Sequence, residues 1–279
     1  MEYGINIRYL TKSISMERAA EAVAKAGFTM LDYTPLVQED TWEADMKRDM
    51  AVFKENGLTV HQTHAPFNRY SRYGDVQNHK ICLDRCMEAT AYLGAKYVAV
   101  HGDEFDFENI TFSPEAALEY NHNYFAPYVK QAKEIGCKLG FETVFEDNMT
   151  RYAGKRRFTS EPEELLSLIQ SFHSKEAVCC WDFGHAHVSF PQTAAEYIRK
   201  FGSLIQCTHV HDNTGVDAHA VPLTGDIKWN EMMTAFQEIS YSGVLNIEYS
   251  HGNIPEELLD DFLKLTYQSA VYLWKMTGK

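Results

Sequence analysis

The sequence predicts a (β/α)8 barrel in a single domain, residues 1–279. Three observations carry that expectation. Short β-rich runs alternate with longer helical patterns from end to end. Successive runs start roughly 27 to 41 residues apart, the length of a strand, a helix and their loops. Several runs are apolar at consecutive positions, as parallel strands covered on both faces are. A chain of 279 residues has room for two ordinary domains, but α/β barrels routinely occupy about 250 residues as one. No low-complexity linker marks a boundary. A doubly wound open sheet is the alternative, and it would need a sheet edge; no glycine-rich phosphate fingerprint follows the first run.

In chain order, the expected strands begin near Tyr3, Met30, Thr59, Tyr97, Lys138, Val178, Cys207 and Val244. The helical patterns between them are Met16 to Lys25, Glu43 to Glu55, His79 to Leu93, Glu115 to Ile135, Glu163 to Phe172, Ala194 to Phe201 and Trp229 to Ile239, with Glu256 to Met276 closing the series. Ser113 before Pro114 reads as an N-cap preceding a residue that needs no helical N–H, and Ser160 with Glu163 matches a capping box. Gly27, Gly57, Gly94 and Gly136 each stand where a helix should stop before the next strand.

Composition narrows the function. With 39 Asp and Glu against 26 Lys and Arg, the formal net charge is −13, which argues against a partner held mainly by phosphate neutralisation. Arg69, Arg72, Lys155, Arg156 and Arg157 would supply a basic patch; the Lys155-Arg156-Arg157 run reads either as a solvated loop or as a phosphate-binding one. The six cysteines show no paired zinc-ribbon spacing, so reduced thiols are expected. The N-terminus has no leader pattern and no stretch approaches about 18 apolar residues. A cytoplasmic protein with no membrane contact is the expectation.

The placement of polar residues points to chemistry, because barrel active sites form at the C-terminal ends of strands. Of the twelve histidines, only His79, His122 and His173 are assigned to helices. His61 and His64 follow the third strand, His101 the fourth, His185 and His187 the sixth; His209 and His211 end the seventh, with His219 beyond, and His251 follows the eighth. Glu142, Asp182 and Glu248 each end a mostly apolar run, where an unpaired charge would be costly to bury. Singly, such residues are ordinary core or loop groups. Converging on one rim without a matching set of Lys and Arg, they would repel one another, and a divalent cation would remove that cost. The His and carboxylate donors, without a Cys, suit Zn2+ or Mn2+ and admit Co2+ or Mg2+.

Thr63-His64-Ala65-Pro66-Phe67, Val100-His101-Gly102, Phe141-Glu142, Trp181-Asp182-Phe183-Gly184-His185-Ala186-His187, His209-Val210-His211-Asp212, Asp217-Ala218-His219 and Ile247-Glu248 occur in the order of the xylose isomerase-like TIM-barrel superfamily, which the chain resembles from Tyr3 to about Glu248. That superfamily includes sugar isomerases and epimerases, inosose-processing enzymes and the endonuclease IV type of abasic-site nuclease. In the isomerase and epimerase branch the resemblance implies one metal held by Glu142, Asp182, His209 and Glu248. The nuclease branch holds three zinc ions. By that analogy His64, His101 and Glu142 form one site; Glu142, Asp182, His209 and Glu248 a second; His185, Asp217 and His219 a third. One to three ions are therefore implied.

The segments around these residues favour sugar. Phe67-Asn68-Arg69-Tyr70 lacks the aromatic-Asn-Leu run of the nucleases, Gly102 follows His101 with no proline between them, and Glu248-Tyr249-Ser250 lacks the Glu-Thr-Pro ending. Gly225-Asp226-Ile227-Lys228-Trp229 resembles a segment common among sugar isomerases and epimerases. The implied activity is metal-dependent isomerisation or epimerisation of a sugar or sugar phosphate, Glu142 and Glu248 exchanging the proton, in either order. A hydride shift is the variant; the lysine associated with it has no clear counterpart. His185 and His211 are expected to bind substrate oxygens. Phe67 and Phe145, following strand ends, would wall the sugar, whereas Trp181, Phe183, Trp229 and Tyr249 read as packing. Zinc-dependent cleavage at abasic sites is the second reading, and a sugar- or metal-binding barrel without turnover the third. The C-terminal helix carries enough apolar surface to cover the barrel and to meet a partner subunit in a homo-oligomer.

Overall fold

The computed structural model describes residues 1–67, 76–106, 109–146, 157–250 and 254–276. They build β1 (Glu2–Asn6) and α1 (Met16–Ala26), β2 (Met30–Tyr33) and α2 (Trp42–Glu55), β3 (Thr59–His64) and α3 (Val76–Leu93), and β4 (Tyr97–His101) and α4 (Pro114–Ile135). Then follow β5 (Lys138–Glu142) and α5 (Pro162–Ser171), β6 (Ala177–Asp182) with α6 (Phe183–Ser189) and α7 (Ala194–Phe201), β7 (Ile205–His209) and α8 (Trp229–Glu238), and β8 (Val244–Ile247) and α9 (Glu256–Lys275). The expected strand starts are met within about two residues.

All eight strands lie in one sheet in the order β7-β6-β5-β4-β3-β2-β1-β8, with β1 parallel to β8. The remaining seam is closed just past β7, where the Val210 amide donates to Asn246 O at 2.7 Å and the Glu248 amide donates to Val210 O at 3.1 Å. A sheet that returns to its first strand leaves no edge, so the open-sheet alternative falls and the (β/α)8 barrel stands.

Several local signals act as expected. Ser113 accepts a hydrogen bond from the Ala116 amide at 3.1 Å and starts α4. Gly27 and Gly136 end α1 and α4 at φ of 113° and 79°, a region costly for a residue with a Cβ. Others differ. Glu161, not Ser160, precedes α5, and the Ser160 hydroxyl donates to Arg157 O at 2.8 Å. His173 lies beyond α5 with φ of 48°. The short helix α6 was not expected; it forms because Asp182 caps it, accepting from the His185 amide at 2.7 Å.

Two packing layers result. The outer one, between strands and helices, holds most of the core, including Phe53, Phe125, Phe141, Trp181 and Phe236. The inner one is small: Ala99, Cys180 and Cys207, with Tyr97 against them. All six cysteines are unpaired and buried. Among the described residues no helix is long and apolar enough to cross a membrane.

The loop after β7 is pinned by one carboxylate. Asp212, fully buried, accepts from the amides of Asn213 (2.9 Å), Leu223 (2.9 Å) and Ile227 (3.3 Å) and from the Trp229 indole N–H (2.7 Å). A Cβ on Gly225 would lie 2.4 Å from Asp212 Oδ1, which explains the glycine in the Gly225 to Trp229 segment. Asp212→Ala strands these donors in the interior. We expect a loss of about 3 kcal/mol or more, read as a Tm lower by roughly 6 to 12 °C; a shift of a degree or two would show that the loop holds without it.

Candidate metal centre at the barrel mouth

Side chains two apart on a strand share a face, so the inward positions above Ala99, Gly140, Cys180 and Cys207 are His101, Glu142, Asp182 and His209. His64 and Glu248 join them from β3 and just past β8. Glu142 is the hub. Its Oε2 lies 3.3 Å from His64 Nε2 and 3.4 Å from His101 Nε2, and its Oε1 lies 3.1 Å from His185 Nδ1 and 3.2 Å from His209 Nδ1. Both oxygens are nevertheless buried without a hydrogen-bond partner.

For the two bare nitrogens turned toward Glu142, those of His64 and His209, the rings' other nitrogens explain this. His64 Nδ1 lies 2.8 Å from Ala65 O, His185 Nδ1 2.9 Å from Thr143 O, and His219 Nδ1 3.1 Å from Glu248 O. A carbonyl can only accept, so each Nδ1 carries the proton and each Nε2 presents a lone pair. His209 is held the other way round: Nε2 donates to Asp32 Oδ2 at 3.0 Å, leaving Nδ1 bare. These lone pairs face carboxylates. His209 Nδ1 lies 3.4 Å from Glu248 Oε2 and 3.8 Å from Asp182 Oδ2, and His219 Nε2 lies 3.2 Å from Asp217 Oδ1. Lone pair against carboxylate is repulsive unless a cation sits between them.

Protons would fill that role in the metal-free protein. Burial opposes charge on each ring, but the facing carboxylates outweigh it: Asp182, Glu142 and Asp217 raise the His185 pKa to about 10, Asp217 and Glu248 raise His219 to about 9, and Glu248 and Glu142 push His209 well up. In return, and against the same burial, His209 and His101 hold Glu142 well below the usual carboxylate range. His101 itself is lowered, burial prevailing over Glu142.

Among the described residues, four groups have donor atoms mutually within 4.8 Å: Glu142, Asp182, His209 and Glu248; His64, His101 and Glu142; His64, His209 and Glu248; and His185, His211, Asp217 and His219. All nine residues expected as ligands are thus brought together. Fixed ring orientation, orphaned buried carboxylate oxygens and an all-N/O donor set fit a divalent ion. His101 fits least, because Arg157 Nη2 reaches its Nδ1 at 3.4 Å and leaves the ring proton on Nε2. His211, expected to meet substrate, points Nε2 at Asp182 Oδ1 (3.0 Å) and stacks on His219 at 4.1 Å. Phe67 stacks on His101 at 4.5 Å and Phe145 lies 4.9 Å from His185, so both line the mouth. Trp181, Phe183, Trp229 and Tyr249 are buried packing.

Two residues enter that the motifs did not supply. Asp32, fully buried at the end of β2, also accepts from Gln62 Nε2 at 3.1 Å. It obeys the strand-end rule that singles out Glu142, Asp182 and Glu248, and Met30-Leu31-Asp32 carries the signal. Arg157 is neither solvated nor open to a phosphate: it is 7% exposed, with Nε donating to Asp103 Oδ2 at 2.6 Å and Nη1 to Phe145 O at 3.0 Å. Arg69, Tyr70, Arg72, Lys155, Arg156 and His251 lie outside the described residues. Asp32→Asn takes the negative charge from the group that accepts the His209 N–H. Metal affinity should fall about 10- to 100-fold by calorimetric titration; unchanged affinity would remove Asp32 from the centre.

A family model described as xylose isomerase-like TIM barrel matches residues 20–268. An uncharacterised protein of Methanocaldococcus jannaschii is 29% identical over 216 residues, 75% of this chain and 70% of that protein. Among solved structures, a D-tagatose 3-epimerase-like protein superposes with a TM-score of 0.76 at 23% identity over 100% of both chains. A D-psicose 3-epimerase with D-tagatose, from Clostridium cellulolyticum H10, gives 0.77 at 18% identity over 98% of this chain and 99% of that one.

Proposed function

As the chain belongs to the xylose isomerase-like TIM barrel family, we propose that it is a divalent-metal-dependent sugar isomerase or epimerase that moves a proton between carboxylates. The observation that carries the reading is the approach of Glu142 and Glu248 to one bare nitrogen, His209 Nδ1, at 3.2 and 3.4 Å. The names of the two similar structures, a D-tagatose 3-epimerase-like protein and a D-psicose 3-epimerase, support the substrate class.

Glu142, Asp182, His209 and Glu248 would hold the ion. Bound there, Zn2+ or Mn2+ supplies Lewis acidity that polarises a sugar carbonyl and acidifies the neighbouring C–H. One of Glu142 and Glu248 removes that proton, giving an enediolate of the sugar. The other returns a proton, to the opposite face for epimerisation or to the adjacent carbon for isomerisation. His185, and His211 from its position against Asp182, orient substrate hydroxyls, while Phe67 and Phe145 shield the apolar face of the sugar from water. Abasic-site cleavage has less support: Arg157, the described member of the basic patch, is buried on Asp103 and not available to DNA phosphates.

Turnover of a ketose panel in D2O tests this. The expected product is an epimer or isomer carrying solvent deuterium at the reacting carbon. Product without deuterium would mean a hydride shift, and incision of abasic DNA in place of sugar turnover would overturn the reading.

A further inference from the structure

The two oxygens of Glu142 keep different company. Oε1 lies 3.1 Å from His185 Nδ1 and 3.2 Å from His209 Nδ1, whereas Oε2 lies 3.3 Å from His64 Nε2 and 3.4 Å from His101 Nε2. Two imidazoles and a carboxylate are a common zinc-binding set, so the Oε2 side has the residues of a second metal site. Whether it can act as one depends on the proton of His101.

Arg157 decides where that proton sits. Its Nη2 lies 3.4 Å from His101 Nδ1. A guanidinium carries donors and no acceptor, so Nδ1 supplies the lone pair and the ring proton is on Nε2, the atom turned toward Glu142. A protonated nitrogen has no lone pair to give a metal. For Nε2 to ligate, the proton would have to move to Nδ1 and meet the guanidinium donor against donor. Nor can the guanidinium turn away: Nε donates to Asp103 Oδ2 at 2.6 Å and Nη1 to Phe145 O at 3.0 Å, and the Arg157 amide donates to Glu146 Oε2 at 2.8 Å. His64 is set the opposite way, its Nδ1 against Ala65 O at 2.8 Å and its Nε2 bare.

We propose that Arg157, anchored on Asp103, is a positioning residue that bars a second ion from His64, His101 and Glu142 by fixing His101 as an Nε2–H donor. The centre then holds its single ion on the Oε1 side of Glu142. His64 also belongs with His209 and Glu248 to one of the candidate groups among the described residues, so its lone pair needs no second ion. The bar on a second ion rests on the metal-dependent reading of the mouth; the position of the His101 proton does not.

Nitrogen-15 spectra of the histidine-labelled whole chain, freed of metal by chelation, read each ring's proton directly, with His101 assigned by the signals lost in His101→Gln. The expected result is a proton on Nδ1 of His64 and on Nε2 of His101. Zinc loading then gives the count, about one ion per parent chain with His101 keeping its Nε2 proton, and about two in Arg157→Met combined with Asp103→Asn, where His101 Nε2 loses its proton to ligation. The paired substitution leaves no buried charge stranded, and if it does not fold, the parent spectra alone decide. A His101 proton on Nδ1 overturns the inference by itself. So does a parent chain in which zinc displaces the Nε2 proton, or a folded double variant that still binds one ion. A parent chain that takes up no ion overturns the metal-dependent reading and the bar together, so the two failures are told apart.

Discussion

Glu142→Gln should lower kcat by about a thousandfold or more while the barrel stays folded, a loss within the 10²- to 10⁴-fold range for a positioned acid or base. Glu142 belongs to two donor groups at once and touches four imidazoles, so the amide removes a reacting carboxylate and a shared ligand in one change. Glutamine keeps the shape, which separates charge from packing. Its amide faces His64 and His209 nitrogens that already present lone pairs, so one contact improves while the ion loses a negative donor. Glu248→Gln is the companion variant. It removes a carboxylate from His209 but leaves His64, His101 and Glu142 in place. Both should lose turnover, and Glu142→Gln should lose more metal, measured as ions per chain alongside kcat. Activity within about tenfold of the parent would remove Glu142 from the proton path.

The barrel was legible because every βα unit repeats the same signals, and a single misplaced cap such as Ser160 does not disturb the sum. The mouth was legible for a related reason: a strand-end carboxylate after an apolar run has one place to go once the sheet closes. What stayed hidden depends on contacts between strands distant in sequence. Asp32 matters because His209 lies opposite it across the barrel, 3.0 Å away and far along the chain. Arg157 reads as part of a basic run, and its burial is decided by Asp103 and the Phe145 carbonyl. The helix α6 escaped because its apolar periodicity is too short to register, and its start rests on Asp182 serving as cap and candidate ligand together. The contact of His211 with Asp182 needs Gly184 beneath it, where a Cβ would lie 1.9 Å from the His211 ring.

Removing metal should abolish turnover and also destabilise the fold, by an amount that grows with pH. At a free ion concentration about 100 times the Kd, binding adds about 2.7 kcal/mol, a Tm change of roughly 5 to 11 °C. In the chelated protein, protons must stand between the imidazoles and the carboxylates. His185 and His219 have pKa values raised to about 10 and about 9 in the fold, above the roughly 6.5 of an unfolded histidine. A raised folded pKa stabilises fully below the unfolded value and loses that stabilisation as pH rises through the folded one. Between about pH 6.5 and 10 the metal-free protein should therefore weaken steadily. The loaded protein should weaken less, because an ion among Glu142, Asp182, His209 and Glu248 takes the place of the His209 proton, whose pKa Glu248 and Glu142 push well up, and does not titrate away; its binding releases a proton whose loss higher pH favours. Thermal unfolding with and without chelator across that range reads the difference, and metal content by mass spectrometry reads the number of sites. We expect about one ion per chain, in the group of Glu142, Asp182, His209 and Glu248, with activity restored by Mn2+ or Zn2+. About three zinc ions per chain would instead fill the groups around His64 and His219 as well and shift the balance toward hydrolytic chemistry. A chelator gap that is constant with pH would show that protons do not take the metal's place.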